Sequence, residues 1–174
     1  MKSYQWLLFP TLLILNLTLT ACEKSEKVVF SCETDSNGES VTKVKYQDKT
    51  RDLIEWKRTN FVKAGFPPQR RCQEVTPKLQ TAYNNGTLKD LTWGYSEAEN
   101  DPRKSLKSLC TTTGKDCHTL ILTLLDTDDG DEELKRFTAV LNGDAEGAFQ
   151  QKSCAVKPRS NLICTVDIFK VFNK

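Results

Sequence analysis

The chain has 174 residues, with 25 Lys plus Arg against 23 Asp plus Glu, seven cysteines and one histidine. That is one domain's worth of chain, enough to bury a sizeable core. Charge this close to balance, with no aromatic residues interleaved in a basic stripe, provides no field for nucleic acid, which is excluded as an expected partner.

Residues 1–21 read as an export signal. Lys2 gives a short positive start, Trp6 to Leu19 is apolar apart from isolated polar residues, and Leu19-Thr20-Ala21-Cys22 has the form of a bacterial lipobox. Cleavage before Cys22 and acylation of its thiol would place the anchor there. One acyl chain holds marginally, whereas two or three hold stably at about 0.8 kcal/mol per buried methylene. An uncleaved membrane span fits less well, because the apolar run is short, contains Pro10 and Asn16, and lacks a basic stop-transfer flank. The expected product is an exported, membrane-anchored lipoprotein facing the periplasm or lumen, with the membrane as its partner through Cys22. Residues 22–27 form the lipidated tether, and 28–174 a single domain.

Val28 to Cys32 is β-branched and aromatic and predicts a first strand. Asp35-Ser36-Asn37-Gly38 is a turn signal, Val41 to Tyr46 alternates as a second strand, and Arg51 to Lys57 predicts a third with Leu53, Ile54 and Trp56 as core. Pro67-Pro68 opens a helix to Asn85, closed by Gly86, with Cys72, Val75, Leu79, Ala82 and Tyr83 tracing one face. Pro77 falls inside it. An interior proline costs about 3 kcal/mol, so a kink is expected, or a break with Thr76 capping a second piece. Leu88 to Tyr95 predicts a strand, and the polar stretch Ser96 to Lys107, with Asp101-Pro102, a loop. Cys117 to Leu125 is the most apolar run after the signal and predicts a central strand. The acidic stretch Asp126 to Glu133 leads into a helix with Leu134, Phe137, Thr138 and Leu141 on one face, ending at Asn142-Gly143. Leu162 to Phe172 predicts one or two strands. The sum is an α+β fold: a mainly antiparallel sheet of about six strands, two helices packed on one face, stapled by disulfides.

With Cys22 given to lipid, Cys32, Cys72, Cys110, Cys117, Cys154 and Cys164 remain. An even six in an exported chain implies up to three structural disulfides among 15 connectivities.

Phe30-Ser31-Cys32, Ile54-Glu55-Trp56, Phe61, Ala64-Gly65-Phe66-Pro67-Pro68, Arg71-Cys72-Gln73-Glu74-Val75, Leu79-Gln80, Gly86 and Leu91-Thr92 resemble the cyanobacterial circadian-oscillating-polypeptide domain. The resemblance runs from about Phe30 to Phe172 and is densest over residues 54–93. It implies a small exported or membrane-associated protein with cysteines matching Cys32, Cys72, Cys110 and Cys117. It implies no molecular activity, and no catalytic residue carries over. Pro77 and the Cys154, Cys164 pair depart from the family pattern.

The bridges we expect are Cys110–Cys117 and Cys154–Cys164 across short loops, each worth about 2.5–3 kcal/mol, and by remainder Cys32–Cys72, worth about 4 kcal/mol. With no Cys-x-x-Cys, the rival redox or zinc site has little support. His118, beside Cys117, has no partner constellation that sequence can supply, and no Gly-x-Ser-x-Gly elbow exists. Counted from Asp126 as an EF-hand loop, Gly130 falls at position five and Phe137 at twelve, so the calcium register fails. Lys57, Arg58, Lys63 and Arg70-Arg71 form the most basic stretch, a contact surface for anionic headgroups or an acidic partner, or simply a solvated helix face. We therefore expect no catalytic residue, no metal and no cofactor. The leading expectation is a non-enzymatic binding or interaction module of the cell envelope with a further envelope protein as partner. The alternative is an envelope hydrolase with an unrecognised active site.

Overall fold

The structure, a computed structural model, describes residues 27–98, 101–114, 116–145, 147–149 and 163–172. The expected signal, Cys22 and Cys154 lie outside the described residues.

The first half of the domain is an antiparallel meander of β1 (Val29–Thr34), β2 (Ser40–Tyr46) and β3 (Lys49–Glu55). Its first turn is fixed by Asp35, whose Oδ1 accepts the N–H groups of Asn37 (2.9 Å) and Glu39 (2.8 Å). Gly38 follows at φ 80°, a conformation favouring glycine. Helix α1 (Pro68–Asn84) lies against this sheet. Trp56 Nε1 donates to Thr42 Oγ1 (3.0 Å), which meets Thr76 Oγ1 on α1 at 2.8 Å. Gln80 serves the strand edge: its Oε1 accepts from Phe30 N (2.9 Å) and its Nε2 donates to Val28 O (3.3 Å). An α1 side chain thus satisfies backbone groups that an edge strand leaves open.

The second half is a sheet in the order β6-β5-β4-β7, built from β4 (Asp90–Ala98), β5 (Asp101–Thr111), β6 (Thr119–Thr123) and β7 (Ile163–Thr165). Helix α2 (Gly130–Leu141) packs on β4, β5 and β7. Phe149 joins the halves. Its N–H donates to Leu53 O (2.8 Å), its carbonyl accepts from Glu55 N (3.0 Å), and its ring meets Phe137 of α2 edge-on at 5.1 Å. One core cluster consequently runs through both sheets, from Val28 and Phe30 to Ile168 and Phe172. No helix among the described residues is long and apolar enough to cross a membrane.

The fold class is α+β as expected; among the described residues there are two α-helices, but the strands number seven and form two sheets rather than one. Four local expectations change. Of the kink or break expected at Pro77, the break is absent: helix α1 continues through it. Cys72, Val75 and Thr76 before the proline, and Leu79 and Ala82 after it, are all buried. That packing outweighs the local cost of the missing bond, and the Thr76 hydroxyl faces Thr42 instead of capping a second piece.

The stretch from Ser96 to Lys107 is no loop but the greater part of a long hairpin, with Tyr95 opposite Lys107, Ser96 opposite Leu106 and Glu97 opposite Ser105. Backbone pairing tolerates polar side chains where a ribbon meets water, and alternation is then lost. Pro102 is accommodated next to the irregular start of β5, where the register shifts. The apolar run of β6 sits at a sheet edge, not its centre, and takes its hydrophobicity from packing against α1. Finally, residues 168–172 form a 3-10 turn. Asp167 Oδ1 accepts from Phe169 N (3.2 Å) at its start, and Ile168, Val171 and Phe172 go inward at a spacing of three to four.

Candidate functional site

The acidic stretch before α2 is spent on holding the fold. The Asp128 side chain is fully buried, and its Oδ2 accepts from Arg58 Nη1 and from Leu125 N, both at 2.7 Å. Its carbonyl accepts from the Lys107 ammonium, which is 4% exposed and stands 5.1 Å from the Trp93 ring centre. Asp129 Oδ1 caps α2 through the N–H groups of Asp131 (3.0 Å) and Glu132 (3.2 Å). Asp131 Oδ1 accepts from Trp93 Nε1 at 2.6 Å, and buried Glu133 pairs with Arg136 at 2.7 Å. These carboxylates point at separate protein donors rather than at one another. Among the described residues no three His, Cys, Asp or Glu side chains group as a metal site would need.

The basic stretch is divided in the same way. Arg58 goes inward to Asp128, its side chain 8% exposed. Arg71, on the first turns of α1, lies between aromatic rings, 4.5 Å from the Phe61 centre and 4.9 Å from that of Trp56. Its Nη1 donates to Arg58 O at 3.2 Å. Burial, and then the Arg58 charge, pull its pKa down to about 10, against the pull of Asp128, so it stays protonated at neutral pH. Arg70 faces solvent, stacked 4.5 Å over Phe66 and paired with Glu74 at 2.6 Å. Lys57 bridges Glu55 (2.8 Å) and Glu39 (3.4 Å), and those contacts, Glu55 foremost, hold its pKa above the ordinary lysine value. Of the expected contact surface, two arginines are therefore interior. Beside them, a cavity of about 10 Å³ lined by Ile54, Trp56, Arg58, Arg71 and Leu122 has room for about one water.

The larger concavity is elsewhere. A cleft of about 740 Å³ lies between the edge of β3 (Thr50, Arg51, Asp52) and the chain after α2 (Gly143, Ala145, Gly147, Ala148). Its described lining carries Arg51, Asp52, Glu55 and Asp144 as ionisable groups, and no serine, cysteine or histidine. Small residues on one wall leave space for an occupant, while the other wall is the β3 edge, which Phe149 pairs at Leu53 and Glu55.

Cys32 of β1 is bonded to Cys72 of α1, and Cys110 of β5 to Cys117 before β6. Cys164 on β7 is half-buried, with burial pushing its thiol pKa up. His118 is exposed, its Nδ1 3.1 Å from Thr119 Oγ1. No expected residue is brought to the cleft. Sequence reasoning also passed over Lys107, whose burial could have been found only by recognising Tyr95 to Lys107 as two paired strands.

No curated protein and no solved structure matches the chain. The family model described as circadian oscillating protein COP23 matches residues 29–171, from the first strand to the closing 3-10 turn. The chain belongs to that family.

Proposed function

We propose that this member of the circadian oscillating protein COP23 family is an exported protein, anchored by lipid at Cys22, whose domain is a non-enzymatic binding module of the cell envelope. The export half is supported by the lipobox at Leu19 to Cys22 and by two disulfides, which suit an oxidising compartment. The single observation that carries the binding half is the cleft beside β3. It sets a small-residue wall against the β3 edge, and its described lining holds no serine, cysteine or histidine.

An intact mass of membrane-extracted protein tests the anchor. The expected result is loss of residues 1–21, added acyl mass on Cys22, and cysteines of the two bridges alkylated only after reduction. A full-length mass without acyl groups would end the anchor reading. For the cleft, Ala148→Trp fills the small-residue wall. Crosslinking in intact cells should then lose the adduct that the unaltered chain forms, at unchanged abundance. Equal adducts from both chains would remove the cleft from the proposal.

A further inference from the structure

The domain begins at one defined end of the molecule, and that end differs from the other in what it shows to solvent. Val28 and Phe30 are held by Gln80 near the C-terminal end of α1. Val29 lies opposite Lys45, and Tyr46 opposite Lys49, across the meander. The Tyr46 ring meets Phe169 at 5.2 Å and Phe172 at 5.4 Å, and Lys49 Nζ donates to Phe172 O at 2.5 Å. Lys89 is tied to the same region, its carbonyl accepting from Val166 N at 2.6 Å. The first strand, the β2–β3 turn, the end of α1 and the closing 3-10 turn therefore share one end.

That end exposes Lys27, Lys45, Lys49, Lys89 and Lys170. Among them stand two large apolar side chains left in solvent, Val29 and Phe169, each 43% exposed. Asp48, Asp90 and Asp167 share the end, and Asp167 is partly spent on the Phe169 N–H. The far end, where β1 turns into β2 and α1 starts, carries Glu33, Asp35, Glu39 and Asp126 at its surface beside Lys57, Lys63 and Arg70. Lys57 is paired with Glu39 and Glu55, Arg70 with Glu74, and Arg58 and Arg71 go inward.

We propose that the end bearing Lys45, Lys49, Lys170, Val29 and Phe169 is a docking face for an anionic bilayer surface. This rests on the anchor reading above. From Cys22 to Val28 the chain has six residues to span, about 20 Å fully extended, so an acylated Cys22 keeps this end at the headgroups. Lysines there meet lipid phosphates, and Val29 and Phe169 enter the boundary between headgroups and acyl chains.

The test uses the purified full chain with its covalent groups, floated with phosphatidylcholine or phosphatidylglycerol vesicles, followed by brief amine acetylation and mass mapping. Lys63, beside the start of α1 and about 25 Å from its other end, is the internal reference. The expected result is flotation with both vesicles, and acetylation of Lys45 and Lys170 at least about fivefold slower on phosphatidylglycerol than on phosphatidylcholine, with Lys63 unchanged. Flotation with both and equal acetylation would overturn the face and leave the anchor standing. Flotation with phosphatidylglycerol alone, with the same protection, would support the face and defeat the anchor. Flotation with neither would overturn both.

Discussion

The two ends of the molecule differ in how much charge they take into the core. At the far end, Arg58, Arg71, Lys107 and Asp128 are turned inward and surrounded by Trp56, Phe61 and Trp93. At the end where the domain begins, Lys45 and Lys170 stand in solvent beside exposed Val29 and Phe169. The same residue classes are structural in one place and superficial in the other. Charge in a sequence is thus a poor guide to charge on a surface until the fold has sorted it.

The strongest test of that contrast is Asp128→Ala. It leaves Arg58 buried without its carboxylate and should lower the unfolding free energy by about 3–5 kcal/mol in urea titration. A loss near zero would make the pair superficial and break the comparison. Gly130→Ala probes the same region by shape. A Cβ there would fall 2.2 Å from the Trp93 ring, so the ring over Lys107 must move, at about 1–3 kcal/mol by the same titration.

A smaller effect belongs to Asp35 in the first turn. The Glu39 N–H chiefly, with that of Asn37, holds its carboxyl below the ordinary aspartate range. The stability it contributes is present above the unfolded-state pKa, about 3.9, and is lost as pH falls through the lower folded value. Asp35→Asn should flatten the fall of the unfolding midpoint below about pH 4, and an unchanged acid limb would discount the turn. The smallest effect is expected for Lys45→Ala with Lys170→Ala, within about 0.5 kcal/mol of the parent in the urea titration. A larger loss would show these lysines to be structural as well.

Much of the frame was legible because local signals agreed with packing. The strand at Val41 to Tyr46, the turn at Asp35 to Gly38, and the acidic start and apolar stripe of α2 all form where local pattern placed them, though Val41 and Val44 are buried on opposite faces of β2. Legibility failed where partners are distant. The β4–β5 hairpin is polar along Ser96 to Lys107, so pairing rather than periodicity defines it. Of the two outcomes expected at Pro77, the break did not occur, because local cost was weighed without the contacts of Cys72, Thr76 and Leu79. The basic stretch misled for a geometric reason. Neighbouring residues on a helix point about 100° apart, so Arg70 meets water while Arg71 enters the core. The lysines that do share a surface, at 45, 49, 89 and 170, are scattered along the chain, and only the fold collects them.

Helix α1 runs 17 residues, about 25 Å, between these two ends. That is about three times the screening length of about 8 Å at physiological salt, and the lysine end and the Arg58–Asp128 pair share no side chain. Free energies at the two ends should therefore add. A chain carrying both Asp128→Ala and Lys45→Ala should lose the sum of the separate losses to within about 0.5 kcal/mol. The domain can then be altered at either end as though it were two independent thermodynamic instruments on one rigid spacer.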